Sequence, residues 1–419
     1  MKRIKGRRKV SKLSTKDDII CSMPDIVITH ILNRMPIIDG VRTSILARNS
    51  RYKWTMITQL VFGLEFDDHT TGLDYYGYQD KWYDEGSISR LFIHLKGPIT
   101  KVIICVPHGK VLNVENFYHW VLFLSRKGIM EFTFMNMDDN SIKLPTHIFS
   151  CLELTHLKLD NCHFPAAPTT FGCFPNLLSL ELDSVTFSSG FHLIFTPCPV
   201  VEILKIDNYY AKLSKVKLVE IAKFKNLRKL SLHFRSLDCT PITSSLIISL
   251  GDCFPKLQKL FLSFQDCKFE GEAVPRKFVC GSFSCVKTLT LAYMDLSSSI
   301  MLPLAFEIIW GCPNLQTLTI PASFLDETAS VAIGASDLEY ITMGPLQLLN
   351  VVFYSRRFSE NELFFIKMLL AHTPLLKKIT IHPHLWHYYG DCTKKLMLTK
   401  KLLMFHRASA IAEVDFRCY

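Results

Sequence analysis

The chain has 419 residues, of which 48% are apolar, and a formal net charge of +10 at pH 7. No uninterrupted apolar run approaches the roughly 18 residues that cross a membrane, so we expect a large buried core and no membrane partner. The fourteen cysteines include no Cys-x-x-Cys pair, which excludes a zinc-bound RING and favours buried free thiols in a reducing compartment.

The basic charge is concentrated at the start of the chain. Residues 1–16 hold eight Lys or Arg and no acidic residue, which predicts a basic disordered tail. Such a cluster is also typical of a nuclear-import signal, so we expect the protein in the nucleus, the cytoplasm or both. No later basic stripe with interleaved aromatic residues is present, so nucleic acid is not expected as a partner.

Residues 17–60 are predicted to form a small helical unit. Pro24 suits the first turn of a helix, and Ile28, Ile31, Leu32 and Met35 follow at the spacing of one apolar helix face. Pro36 is expected to end this helix, and Asp39 to cap the next. A unit of about forty residues is too small for a secure core of its own, so its remaining apolar face is expected to dock on a partner.

Residues 61–334 are dominated by a repeated pattern, apolar-x-x-apolar-x-apolar, which continues to residue 381. A recurrence every 23 to 38 residues is typical of leucine-rich repeats, in which each copy forms a short strand and neighbouring strands stack into a curved parallel sheet. Nine copies start at Leu154, Leu177, Val201, Leu227, Leu257, Val286, Leu315, Leu338 and Leu376, and two weaker ones start at Ile99 and Ile129.

Residues 335–419 are expected to cap the open end of this solenoid. The pattern predicts an amphipathic helix over 361–372, a repeat strand over 376–381, a second helix over 393–409 and a final edge strand at 414–416. A solenoid must cover its last apolar layer, which gives this region a structural role. The predicted fold class is therefore α/β: a small helical unit, a curved solenoid with a parallel sheet, and a cap.

Target recognition is expected on the row of side chains that alternate with the buried residues of each strand. Solenoid sheets commonly bind partners there, although the same side chains could simply be solvated. Toward the later repeats the row becomes richer in hydroxyl groups, including Ser231 and Ser263. The candidate target-binding residues are Lys158, Asp160, Glu181, Asp183, Lys205, Asp207, His233 and Phe261.

No catalytic residue, metal site or cofactor is predicted. Phosphate-binding loops, dinucleotide-binding glycine motifs and nucleophile elbows are absent from the sequence. The histidines of 382–387 lack regular ligand spacing, and we interpret them as a packed loop.

Residues 23–54 also resemble a plant F-box. The matching elements are Met23-Pro24, Ile31-Leu32, Met35-Pro36, the run Val41-Arg42-Thr43-Ser44 and the closing Arg51-Tyr52-Lys53-Trp54. Residues 365–381 and 400–414 are similar to the FBD region that follows leucine-rich repeats in plant F-box proteins.

This resemblance implies docking on a Skp-type adaptor and, through it, a cullin. The residues expected to dock the adaptor are Met23, Pro24, Ile28, Ile31, Leu32, Met35, Pro36, Val41, Leu46 and Trp54. The implied function is a non-catalytic, target-binding subunit of a Skp-cullin-F-box ubiquitin ligase. The alternative is a leucine-rich-repeat interaction protein that acts outside a ligase, because Met23, Met35, Gly40 and Ser50 depart from the usual F-box residues.

Overall fold

A computed structural model describes residues 23–46, 50–63, 84–208, 216–236, 244–265, 267, 283–296, 298, 300–321, 344–355, 358–383 and 392–417. Its main feature is a sheet of thirteen strands in which every neighbouring pair is parallel. In chain order these strands are β1 Gln59–Phe62, β2 Lys101–Val106, β3 Glu131–Asn136, β5 His156–Asp160, β7 Ser179–Asp183, β9 Ile203–Asp207, β10 Lys229–His233, β11 Lys259–Ser263, β12 Thr288–Ala292, β13 Thr317–Ile320, β14 Asn350–Ser355, β15 Lys378–Pro383 and β16 Glu413–Phe416. This confirms the predicted α/β solenoid with a parallel sheet.

Equivalent positions of the repeat lie side by side across the sheet. Leu157, Leu180, Leu204 and Leu230 are register partners on four successive strands, and all are buried. Because side chains alternate along a strand, the residues between them lie on the opposite face. We call that side of the main sheet the open face.

The predicted copy that starts at Leu338 lies outside the described residues. The strand beside β13 is β14, with Leu318 opposite Val351. It carries a further copy of the pattern, Leu348–Val351–Phe353, whose residues are fully buried or nearly so. Ile57–Leu60–Phe62, which is not among the predicted repeats, also follows the pattern and places β1 at the start of the sheet. The predicted final edge strand is confirmed as β16.

The helices add their apolar faces to one continuous core. Two of them precede β1, and each of the others lies in a connection that returns the polypeptide to the same end of the sheet, as parallel strands require. The helices within the described residues are α1 Asp25–Leu32, α2 Ile37–Arg42, α3 Glu85–His94, α4 Val114–Ser125, α5 Phe191–Ile194, α6 Leu218–Ile221, α7 Ser244–Cys253, α8 Met301–Trp310, α9 Glu360–His372 and α10 Cys392–Leu403. Short 3₁₀ turns span Thr43–Ile45, Lys53–Met56, Thr146–Ser150 and Phe234–Ser236.

Stacked phenylalanine rings fill the core of the middle repeats. The ring of Phe195 lies 5.3 Å from Phe164, 5.6 Å from Phe191 and 6.1 Å from Phe174, measured between centroids. The short strands β4 Ile142–Lys143, β6 Cys162–Phe164 and β8 Thr186–Phe187 form a second parallel sheet on this side of the molecule. Aromatic pairs at these distances add to the stabilisation from burial alone.

The C-terminal region continues the solenoid through β14, β15 and β16. Helix α9 confirms the first predicted helix, but the prediction of a helix over 393–409 is too long, because α10 ends at Leu403. Beyond it, Ala408 donates its backbone N–H to Leu370 O, and the Ser409 hydroxyl donates to Leu376 O at 2.7 Å. These two bonds hold residues 408 and 409 against the preceding repeat, so the chain there does not continue the helix.

Candidate adaptor-docking and target-binding faces

The N-terminal helical unit is fixed directly to the start of the sheet. The Asn33 side-chain amide donates to the Thr58 hydroxyl at 2.9 Å, and its oxygen accepts the Thr58 N–H at 3.0 Å. The backbone carbonyl of Thr58 in turn accepts the N–H of Thr100, just before β2, at 2.8 Å. The helices therefore belong to the same packed body as the first strands.

The ten predicted adaptor-docking residues divide between core and surface. Ile28 and Leu32 are buried in the core, so they support the unit from inside. Met23, Met35 and Trp54 are half-buried against the core, and Val41 is half-buried. Pro24, Ile31, Pro36 and Leu46 are exposed. The helical periodicity therefore grouped Ile28 and Ile31 on a face that the fold splits between core and solvent.

Further apolar side chains, beyond the ten predicted ones, are exposed on this unit. Ile45 is 84% exposed beside the predicted Leu46, which is 79% exposed, and Ile26, Val27 and Ile38 are also exposed. Large apolar groups grouped on a small unit are typical of an interaction site. We define the docking face as Pro24, Val27, Ile31, Ile38, Ile45 and Leu46. Helical spacing could have found both Ile26 and Ile38. Ile26 lies on the side of α1 away from the buried Ile28 and Leu32. Ile38 lies on the side of α2 away from the buried Ile37 and Gly40.

The predicted cap of the second helix is wrong. Helix α2 begins at Ile37, directly after Pro36, and Asp39 lies inside it, where its carboxylate accepts from Arg42 at 2.9 Å. Proline suits this position because its missing N–H would have no helical partner there. Gly40 is buried, and a Cβ atom at this residue would lie 3.2 Å from Ile57 Cδ1, so the glycine allows close packing on the sheet.

The structure brings all eight predicted target-binding residues together on five adjacent strands of the open face. Lys158, Glu181 and Lys205 are register partners in one row, so positive and negative charges alternate across it. Asp160, Asp183 and Asp207 form a second row at the strand ends. His233 and Phe261 continue these rows on β10 and β11, with their rings 5.3 Å apart. Their role in binding a target stays a prediction.

The aspartate row is held close together by how the chain leaves each strand. Asn161 and Ser184 follow two of the aspartates with φ of 46° and 52°, in the left-handed region. Their N–H groups donate to the backbone carbonyls of Asp183 and Asp207 at 3.0 and 3.1 Å. This repeated turn gives the three carboxyl groups the same place in successive repeats.

Burial and mutual repulsion make Asp160 and Asp183 reluctant to ionise. Burial, and after it the charge of Asp183, raise the pKa of Asp160 to about 7, with Lys158 and Lys205 opposing the rise. Burial also raises the pKa of Asp183, followed by the charge of Asp207. A cation brought to this row would favour the ionised carboxylates, since an opposite charge lowers a carboxyl pKa.

Asp207 differs because it has its own cationic partner. Its carboxylate lies 3.1 Å from Arg235 and 3.2 Å from His233 Nε2, and it also accepts the N–H of Asn208 at 2.7 Å. Burial lowers the pKa of His233 to about 4, with Asp207 opposing the shift, so the imidazole is neutral at pH 7. Sequence reasoning missed Arg235 because it follows the strand rather than lying in the repeat pattern.

The residue types of a hydrolytic triad occur together here: Asp207, His233 and Ser263, which is the register partner of His233 on β11. Their geometry argues against such a triad. The Ser263 hydroxyl is fully buried, and it makes no hydrogen bond to His233. A nucleophile needs both a base within hydrogen-bond reach and access to substrate. Ser263 and Ser231 were expected to be exposed hydroxyls; both are buried, so the hydroxyl-rich part of the open face is smaller than predicted.

Among the residues described, no group of three His, Cys, Asp or Glu side chains could hold a metal ion. His384 and His387 lie outside them. Of the cysteines in the described part of the chain, five are buried. In the same part of the chain, no helix combines the length and the apolar character needed to span a bilayer.

Comparisons with known proteins agree with this architecture. A family model for the leucine-rich repeats of FBD-associated F-box protein At5g56370 matches residues 117–222. The F-box/FBD/LRR-repeat protein At1g13570 of Arabidopsis thaliana is 26% identical, with 95% of this chain and 98% of the relative aligned. F-box/LRR-repeat protein 13 of Arabidopsis thaliana is 23% identical over 96% of this chain and 97% of the relative. The comparisons confirm the resemblance to plant F-box/FBD/leucine-rich-repeat proteins over most of the chain.

Proposed function

We propose that this chain, similar along most of its length to plant F-box/FBD/leucine-rich-repeat proteins, is the target-recognition subunit of a Skp-cullin-F-box ubiquitin ligase. The observation that carries the proposal is the docking face: Ile31, Ile45 and Leu46 are exposed on a helical unit whose Ile28 and Leu32 are buried in the core. An apolar face presented on a rigid support loses little entropy when a partner covers it. The partner we infer is a Skp-type adaptor, which links the chain to a cullin.

The chain would act by proximity, without chemistry of its own. A receptor that holds a target and a ubiquitin-loaded enzyme in one complex raises the effective concentration of target lysines. The two faces needed for this are separate in the chain, since the docking face precedes β1 and the aspartate row lies on β5, β7 and β9.

The open face would bind the target protein. At the strand ends it carries the aspartate row, in which Asp207 pairs with Arg235 whereas Asp160 and Asp183 form no ion pair within the described residues. Both would ionise more readily beside a cation. A target segment that carries Lys or Arg would complement this row. Phe261, beside His233, offers an aromatic surface for the stem of such a side chain.

The adaptor interaction can be tested with variants that leave the core intact. Ile31→Asp/Leu46→Asp changes two exposed side chains, and we expect it to weaken binding of a purified Skp-type adaptor by about 30-fold or more. Substitutions at Leu32 are unsuitable, because a charged side chain there would enter the core. Ile93→Asp/Val111→Asp is the matched control, since both residues are exposed outside the docking face.

Isothermal titration of the full chain with the adaptor gives the affinities. Binding that the docking-face variant loses and the control keeps would support the proposal. Failure of the unaltered chain to bind any Skp-type adaptor would favour the alternative, an interaction protein that uses its repeats outside a ubiquitin ligase. Equal weakening by both variants would locate the contact elsewhere.

We further propose that the protein works in the nucleus, the cytoplasm or both, on the basis of the basic residues of 1–16. A fluorescent fusion of the full chain should enter the nucleus, and replacing the eight basic residues by Gln should reduce the nuclear share. Secretion or membrane retention of the fusion would contradict this.

A further inference from the structure

A groove of about 410 Å³ lies at the edge of the main sheet where strands β10 to β13 begin. It is separate from the docking face and from the aspartate row, which lies at the opposite ends of the strands. Six of the side chains that line it are Arg228, Lys256, Gln258, Lys287, Gln316 and Gln347.

The repeat places these side chains beside one another. The residue just before each strand is Arg228 for β10, Gln258 for β11 and Lys287 for β12. The backbone N–H of Gln258 donates to the carbonyl of Arg228 at 2.9 Å, and that of Lys287 donates to the carbonyl of Gln258 at 2.8 Å. Gln316 continues the series with a bond of 2.9 Å to Lys287. The positions of these residues are therefore fixed by contacts between their backbones.

The groove carries positive charge that its own walls do not neutralise. Arg228 is the cation with a carboxylate partner, since its Nε lies 3.2 Å from Glu202. Lys256 donates to the uncharged Asn226 oxygen at 2.8 Å, and the described residues give the Lys287 ammonium group no partner. None of the lining residues that the structure describes is Asp or Glu.

Two more lysines add to this charge from the neighbouring strand positions. Lys229 and Lys259, which follow Arg228 and Gln258 in the chain, are direct register partners on β10 and β11. Like charges placed directly opposite each other in a sheet are destabilising. Both are exposed, and no carboxylate within the described residues forms an ion pair with either of them.

Charge and hydrogen-bonding capacity together indicate the ligand class. A single carboxylate brings one negative charge, whereas a phosphomonoester brings about 1.5 to 2 and three strong acceptor oxygens. Ammonium groups, the guanidinium of Arg228 and the amides of the three glutamines all donate hydrogen bonds to such oxygens. Glu202 also holds Arg228 in place, which reduces the entropy that binding would cost.

We propose that this groove binds a phosphate-bearing anion, either a phosphorylated side chain or a free polyphosphate. The site goes beyond the proposed receptor function and does not depend on it, because neither the docking face nor the aspartate row contributes to it.

Titration calorimetry of the full chain at fixed ionic strength tests the proposal. The free probe is tripolyphosphate. The peptide-borne probe is a phosphoserine peptide, and the same peptide without the phosphate is its control. Binding of tripolyphosphate alone would identify a free polyphosphate site, and binding of the phosphopeptide in preference to its control would identify a peptide site. Absence of both would overturn the proposal, as would equally tight binding of citrate, which carries charge without phosphate.

Lys256→Gln/Lys287→Gln removes two groove cations that are exposed, so the fold should persist. We expect it to weaken the bound probe by about tenfold or more, the scale of one lost charge-assisted contact. Lys110→Gln/Lys143→Gln makes the same change of charge at exposed lysines elsewhere and should change the affinity less than twofold. Equal losses in both variants would overturn the proposal and indicate non-specific attraction, to which the basic residues of 1–16 would contribute.

The unaltered chain gives an independent measurement. Cys285 is an exposed thiol that lines the groove. A bound anion should slow its alkylation severalfold, as measured by mass spectrometry of the peptide that contains it. An alkylation rate that stays the same at saturating probe would place the anion outside the groove.

Discussion

Asp207 and His233 face each other from neighbouring strands, with Oδ2 of the carboxylate 3.2 Å from Nε2 of the imidazole. Because His233 is neutral at pH 7, Nε2 carries the proton and donates to the carboxylate, while the buried Nδ1 has no hydrogen-bond partner in the described structure. The ionic partner of Asp207 is therefore Arg235. This cluster joins the negative and aromatic parts of the open face.

Asp207→Asn should destabilise the protein by about 3 kcal/mol, because it removes the charge opposite the largely buried Arg235 guanidinium. Chemical denaturation at pH 7 measures the change. The double variant Asp207→Asn/Arg235→Gln should recover part of the loss, since it leaves no uncompensated cation. A single variant as stable as the parent would show that Arg235 is satisfied without Asp207.

Acid should weaken the fold through His233. Its folded pKa of about 4 lies below the roughly 6.5 of an unfolded histidine, so the unfolded chain binds the extra proton first. The stability that neutral His233 contributes is therefore present above pH 6.5 and lost as the pH falls toward 4. His233→Gln should flatten this part of the stability curve, measured by denaturation at closely spaced pH values. The same substitution at the exposed His108 is the control and should leave the curve unchanged.

Asp160 should act in the opposite direction. Its pKa of about 7 exceeds the unfolded value of roughly 3.9, so the folded chain holds a proton that the unfolded chain has lost, and stability falls as the pH rises from about 4 to 7. Asp160→Asn should remove this slope and stabilise the protein at pH 8 by roughly 1–4 kcal/mol. The exposed Asp252→Asn is the control. A parent chain whose stability matches Asp160→Asn at every pH would contradict the prediction.

Gly63→Ala should be strongly destabilising. Gly63 directly follows β1 with φ of 105°, and a Cβ atom there would overlap the backbone carbonyl of Cys105 on the next strand. We expect a loss of about 3 kcal/mol or more, combining backbone strain with displacement of β2. Gly109→Ala separates the two effects, because Gly109 also has positive φ, at 70°, but open space around its Cβ position. It should cost about 1 kcal/mol in the same thermal denaturation series.

Phe195→Ala should cost about 3–5 kcal/mol, because it leaves a cavity among rings that are themselves largely buried. The half-exposed Leu152→Ala should cost less than about 1 kcal/mol. Both follow from chemical denaturation of the full chain. If Phe195→Ala were as mild as Leu152→Ala, the neighbouring rings would have to collapse into the space.

Much of this architecture could be read from periodicity. The pattern around Leu157, Leu180 and Leu204 requires strands with one apolar face, and a single such strand has nowhere to bury that face except beside another copy. The same alternation places Lys158 and Asp160 on the open face. These features depend on residues a few positions apart, whose relative directions are set by the strand itself.

Tertiary structure decided what local periodicity leaves equivalent. Leu348 begins a copy of the pattern whose place beside β13 is set by pairing between strands. Ile28 and Ile31 share a predicted helix face, yet packing against the core buries the first and leaves the second exposed. Arg235 reaches Asp207 from 28 residues away. A sequence determines the direction of each side chain along its own element, but which side chains meet depends on contacts between distant segments, and those form only when the repeats stack.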